Sequence, residues 1–195
     1  MKRIAGFTGL TALLLLTAAC GGAGSDAAVP RPMAWPRIEM PDSSYRVVNA
    51  RGVRITLNES ADADVSPVQG GAWIDVGYRV TGSPHLYLTL TECGPEGPDD
   101  VLANRRERVM LNLGGQRCEI TEFATPSGWE CMLVVARGSM TTPVQLLAND
   151  GHRVLSGALT LSLPDSLATD PAMSAPVIDA VERDMIVLLK GLGDE

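Results

Sequence analysis

The sequence predicts an α+β domain, an antiparallel sheet carrying a mid-chain helix and a long C-terminal amphipathic helix. Three observations lead there. Short segments alternate β-branched or aromatic residues with polar ones, turn residues separate them, and two longer stretches repeat their apolar residues at helical spacing. The order strands, helix, strands, helix places both helices against one face of the sheet.

Tyr45 to Val48, Val53 to Leu57, Trp73 to Val80 and His85 to Leu90 carry the first strand signals, and Gly82-Ser83-Pro84 supplies a hairpin connection. Cys118 to Phe123 and Trp129 to Val135 flank Thr125-Pro126-Ser127-Gly128. Val144 to Leu147 and Arg153 to Leu163 flank Asn149-Asp150-Gly151, whose Asp-Gly pair is a strong hairpin signal. The mid-chain helix begins at Asp99-Asp100, where acids suit the helix dipole. It presents Val101, Leu102, Val109 and Leu113 on one side and closes at Gly114-Gly115. In the C-terminal helix Ser174 caps and Pro176 occupies the first turn. Val177, Ile178, Val181, Met185, Leu188, Leu189 and Leu192 form its stripe, which is a packing surface.

Ahead of this domain the chain opens Met1-Lys2-Arg3 and continues to Leu16 without a charge. It then reaches Thr17-Ala18-Ala19-Cys20, which reads as a signal peptide over residues 1–19. A cysteine at that position resembles a bacterial lipobox, with Thr17 where Leu is commonest, and makes Cys20 the expected lipidation site. Acyl chains contribute about 0.8 kcal/mol per buried CH₂, so a lipidated Cys20 anchors the protein to a membrane without a spanning helix. The residues after Cys20 lack an acidic run, which points to the periplasmic face of the outer membrane. Residues 20–36 are rich in Gly, Ala and Pro and form a tether, leaving 37–195 as a single domain.

The formal charge is −7, and removal of residues 1–19 with their two cations takes it to −9, which disfavours a nucleic-acid partner. Without Cys20, three cysteines remain, Cys93, Cys118 and Cys131. Their spacing fits no metal motif, and export permits disulfides, with Cys118 and Cys131 the candidate pair across the turn near Pro126. No cofactor or metal is expected. The sequence has no nucleophile elbow, zinc-protease helix, phosphate loop or dinucleotide fingerprint. His85 and His152 read as exposed or hydrogen-bonded structural residues, and Glu59 to Asp64 as a solvated acidic loop lacking the glycine and terminal glutamate of a calcium loop.

The candidate contacts are elsewhere. Trp35 lies in the Pro-rich stretch and suits docking, whereas Trp73 and Trp129 begin strand signals and are expected in the core. Arg105, Arg106 and Arg108 form a basic helical face able to meet an acidic partner or a lipid headgroup.

Two blocks, Val29 to Tyr45 and Leu155 to Ile186, resemble the gliding-motility lipoprotein GldD family of the Bacteroidetes. That family combines a lipobox, a Pro-rich segment with an aromatic, a strand of Arg-Gly-Ala-Leu type, and an Asp-Ser-Leu-Ala-Pro-Val-Ile-Asp run leading into a terminal helix. Here Ser156 stands before Gly157 in place of the basic residue, and Ala168 to Ser174 is inserted between Leu167 and Ala175. The resemblance implies an outer-membrane accessory lipoprotein of the gliding motility and type IX secretion apparatus, working through other envelope proteins, with no catalytic residue to carry over. It also implies a PsbP/Mog1-like α/β/α sandwich. The alternative from a different class is a periplasmic module that binds a small ligand or cell-wall fragment.

Replacing Cys20 by Ala removes the thiol that accepts the diacylglyceryl group. The Cys20→Ala protein is expected to accumulate as unlipidated precursor or as a soluble periplasmic species while its domain still folds. Fractionation after labelling with a fatty acid tests this, and retention of both label and membrane association would overturn the assignment.

Overall fold

The computed structural model describes residues 43–80, 83–138, 141–162 and 171–194, with the side chains of 171–173 left undescribed. The signal peptide, Cys20, the tether, Trp35, Gly82 and residues 163–170 of the family-like block lie outside the described residues.

Ten strands and two helices make up the described domain: β1 (Tyr45–Ala50), β2 (Val53–Asn58), β3 (Ala61–Val68), β4 (Gly71–Tyr78), β5 (His85–Glu92), α1 (Asp99–Leu113), β6 (Glu119–Ala124), β7 (Glu130–Val135), β8 (Val144–Asn149), β9 (Arg153–Thr160), α2 (Pro171–Lys190) and β10 (Gly193–Asp194). The architecture is α+β, as the alternation and the two stripes predict. Seven strands form an antiparallel sheet in the order β3-β4-β5-β9-β8-β7-β6, and β1-β2-β10 form a second, smaller one. The large sheet is two meanders joined where β5 pairs with β9, so α1 carries the chain from β5 across to the far edge at β6.

The chain changes sheets between β2 and β3 by local hydrogen bonding. Asn58 Oδ1 accepts from the Ser60 backbone N–H at 2.9 Å and from the Ser60 hydroxyl at 2.6 Å, an Asx turn that redirects the backbone. The expected acidic loop is therefore only a turn at Glu59 and Ser60, and Ala61 to Asp64 belong to β3. Alternation explains the correction: Ala61, Ala63 and Val65 face the core while Asp62, Asp64 and Ser66 face out. Those carboxylates also guard an edge strand against further pairing. The β1–β2 hairpin turns through Arg51 and Gly52, both at positive φ (54° and 79°), and the Asn49 side chain accepts the Gly52 N–H at 3.0 Å.

Parity assigns the two faces of the large sheet. Cys131, Leu133 and Val135 of β7 join Ile74, Val76, Leu86, Leu88 and Leu155 in the main core, together with Val177, Ile178, Val181, Met185, Leu188 and Leu189 of α2. Val53, Ile55 and Leu57 of β2 enter the same core, so the stripe of α2 is buried by strands from both sheets. Val134 and Ala136 face the other way and pack on Val109 and Leu113 of α1. The two helices thus lie on opposite faces, not on one, because α1 and α2 meet residues of opposite parity on the same strands.

Two further corrections follow from the helices and strands. Helix α2 starts at Pro171, not at Ser174, and Pro176 sits inside it. Proline at the first helical position suits a fixed φ and a missing donor, and the helix tolerates Pro176 one turn later at the loss of one backbone hydrogen bond. Cys93, Cys118 and Cys131 are free thiols. Cys131 stands opposite Phe123, five residues from Cys118, which is about 17 Å along a strand. In addition, Cys131 belongs to the main core and Cys118 to the α1 side, so no bridge joins them.

One carboxylate is buried where the layers meet. Asp184 of α2, 6 % exposed, accepts from the Tyr45 hydroxyl at 2.9 Å and from Asn58 Nδ2 at 3.2 Å, and Tyr78 adds a further hydrogen bond. Burial raises its pKa above the ordinary carboxylate range, and the three hydrogen bonds and Arg183 only partly offset this. The folded protein therefore favours protonated Asp184. That contribution is fully present below the unfolded carboxylate pKa and is lost as pH rises through the elevated folded value. Asp184→Asn keeps an acceptor for Tyr45 and Asn58 but cannot ionise. Its melting temperature relative to the parent is expected to rise steadily from pH 3 to pH 7, and a pH-independent difference would refute the assignment.

Candidate functional site

The main-core face of the large sheet packs against α2 and β2, whereas its opposite face is covered by α1 only over β7, β8 and β9. At the far edge β6 leaves Ile120 exposed, and the half formed by β3, β4 and β5 faces outward. On it, period-2 alternation displays Asp64 and Ser66 from β3, Trp73 and Asp75 from β4, and His85, Tyr87 and Thr89 from β5. Asp64 stands opposite Asp75 and Ser66 opposite Trp73, while Trp73 pairs with Thr89 and Asp75 with Tyr87. Trp73 and Tyr87 are therefore diagonal neighbours, 61 % and 51 % exposed, over a shallow groove of about 410 Å³.

The expectation that Trp73 fills the core is corrected here: its parity is that of Asp75, and its neighbours Ala72 and Ile74 take the inward positions. Trp129 is in the core, 1 % exposed, with the Arg153 guanidinium 5.5 Å above its ring.

Hydrogen bonds cross-link the side chains of the platform. His85 Nδ1 lies 3.0 Å from Asp75 Oδ1, and the imidazole stacks on Tyr87 with ring centroids 5.8 Å apart and planes 18° apart. The Ser66 hydroxyl donates to Asp64 at 3.2 Å, and Arg79 makes two hydrogen bonds to Asp62 at the rim. That ion pair holds the Asp62 carboxyl below its usual range. His85 is hydrogen-bonded within a strand, as read from sequence, and belongs to the floor of the open face. His152 is exposed, and its backbone N–H donates to Asp150 in the β8–β9 turn.

Helix α1 walls this face on one side. Arg105 and Arg108 both line a small cleft between α1 and strands β5, β8 and β9, together with Tyr87, Thr89, Asn112, Gln145 and Ser156. Arg106 is directed elsewhere, into a groove with Leu102, Glu122 and Phe123. The three arginines adjacent in sequence are thus divided, because a 100° step per residue separates Arg106 from Arg105 and leaves Arg105 and Arg108 on neighbouring turns.

Burial pushes the Cys131 thiol pKa up to about 11 and raises that of Cys93 as well, so both are protonated at neutral pH. Among the described residues, no group of three or more His, Cys, Asp and Glu side chains is arranged to hold a metal ion. Among those residues, too, no helix is long and apolar enough to cross a membrane. No family model matches the chain, and no curated protein matches it.

The open-face platform missed in the sequence was signalled by alternation alone: Trp73, Asp75 and Gly77 share one parity of β4, and His85, Tyr87 and Thr89 one parity of β5. The two tryptophans should therefore separate in a stability measurement. Trp129→Ala is expected to lower unfolding free energy by about 3–5 kcal/mol. Trp73→Ala should change it by no more than about 0.5 kcal/mol. Chemical denaturation of both variants tests the assignment, and equal losses would overturn it.

Proposed function

We propose that the protein is an outer-membrane-anchored accessory lipoprotein of the gliding motility and type IX secretion apparatus, acting by binding other envelope proteins and not by catalysis. The observation that carries the binding reading is the uncovered half of the large sheet. Two large exposed aromatic side chains stand at diagonal positions on a hydrogen-bonded floor, and exposed aromatics on such a scaffold are what contact surfaces are made from. The lipobox-like Cys20 supports the location, and the family-like blocks support the apparatus.

The experiment is deletion of the gene, followed by assays of type IX cargo secretion and of gliding. Loss of both is expected, restored by the intact gene but not by Trp73→Ala/Tyr87→Ala, which should accumulate as a folded, lipidated protein. Normal secretion and motility in the deletion strain would overturn the proposal.

A second reading, a binding module for a small ligand or cell-wall fragment, is favoured by the cleft between α1 and the sheet. It is concave, it adjoins the aromatic platform through Tyr87 and Thr89, and polar side chains converge in it.

A further inference from the structure

The cleft under α1 has a volume of about 150 Å³, enough for a single charged group and not for a whole ligand. Its donors converge. Arg105, half-buried, and Arg108 both line it, and neither forms an ion pair with a carboxylate among the described residues. None of the residues lining it is acidic. Burial lowers the pKa of the Arg105 guanidinium, and repulsion from neighbouring Arg108 lowers it further.

The second observation is independent of charge. Gln145 of β8 lines the cleft and is 2 % exposed. Its Oε1 accepts from Asn112 Nδ2 at 2.8 Å, which fixes the amide and leaves Nε2 as a buried donor with no partner. A buried amide donor without an acceptor costs roughly 1–3 kcal/mol, and folded proteins rarely leave one so. The fold has thus placed two cations and an unsatisfied donor around one small space, with the Ser156 and Thr89 hydroxyls on its floor.

We propose that this cleft binds the oxyanion, carboxylate or phosphate, of an anionic saccharide whose ring lies on the adjoining platform of Tyr87 and Trp73. The oxyanion supplies the acceptors that Gln145 Nε2, Arg105 and Arg108 lack. Tyr87 and Thr89 line both the cleft and the aromatic groove, so one ligand reaches both. A sugar suits the platform because its C–H face packs on an aromatic ring while its hydroxyls meet Asp64, Ser66 and Asp75. The inference rests on the ligand-binding reading of this face. It is tested on purified protein, so its failure is separate from that of the secretion phenotype.

The test is titration of the ¹⁵N-labelled full-length protein in detergent with glucuronate, glucose 6-phosphate, glucose and inorganic phosphate, followed through the Gln145 amide and arginine Nε–H signals. One of the two charged sugars should bind in the range up to about 10 mM and shift Gln145, Arg105 and Arg108. Glucose should bind at least about tenfold more weakly. Tighter binding of glucuronate identifies a carboxylate, and tighter binding of glucose 6-phosphate a phosphate. Arg105→Gln and Gln145→Leu should each weaken the charged sugar by about tenfold or more, the loss of one charge-assisted or buried hydrogen bond. Gln145→Leu should also leave the melting temperature unchanged or higher, since the unsatisfied donor it removes outweighs the hydrogen bond lost from Asn112, whose exposed amide can turn to water. Absence of binding by both charged sugars overturns the proposal. Inorganic phosphate binding as tightly as glucose 6-phosphate overturns the saccharide, and a lowered melting temperature in Gln145→Leu overturns the role given to that amide.

Discussion

The structure depends on the burial of one amphipathic helix. Helix α2 offers a broad apolar stripe from Val177 to Leu189. Strands from two sheets close over it, β2 from the small sheet and the central strands of the large one. A Leu or Ile removed from water contributes on the order of 1.5–3 kcal/mol, so this stripe outweighs any local preference in the domain. The small sheet follows from it, because β1 and β2 alone form a hairpin too small to be stable in isolation. β10, only Gly193–Asp194, exists because the end of α2 delivers it alongside β2.

The same junction contains the polar cluster of Asp184, Tyr45, Asn58 and Tyr78. Each residue comes from a different element, α2, β1, β2 and β4 respectively. The cluster contributes less to stability than an apolar patch of equal size would, because a buried carboxylate is costly. What it does is tie elements together, since its hydrogen bonds join α2 to β1, β2 and β4. Gly191 shows how close the elements lie: a Cβ there would lie 2.4 Å from Thr56 Oγ1 of β2. Gly157 does the same within the large sheet, where a Cβ would meet Leu88 Cδ2 at 2.4 Å.

With the main core committed to α2, the other face of the large sheet has only α1 to cover it. Fifteen residues of helix reach across three strands and stop, so β3, β4 and β5 keep their outer side chains exposed. The candidate site is a consequence of that shortfall. Its aromatic floor is the uncovered sheet, and its cationic wall is the flank of the helix that ends the coverage. Arg105 and Arg108 owe their position at the cleft to Val109 and Leu113, whose packing on Val134 and Ala136 sets the rotation of α1.

The sequence by itself determined the fold class, the existence of nearly every element, the apolar stripe of α2 and the burial of Trp129, because alternation and helical spacing are local properties of a chain. It also contained the exposure of Trp73, for anyone reading parity along β4: the residue shares its face with Asp75. Only the tertiary structure decided which face each helix takes, since that depends on which strand parity a helix meets after a long connection. It separated Cys118 from Cys131, the expected pair across the intervening turn, because strand register and parity put them on opposite sides of one sheet. It joined Asn112 to Gln145 across 33 residues and put that glutamine, its Nε2 buried without a partner, in the lining of one cleft with Arg105 and Arg108, an arrangement with no local signature. Periodicity tells each side chain which way to face, but what it faces is settled by packing between elements far apart in the chain.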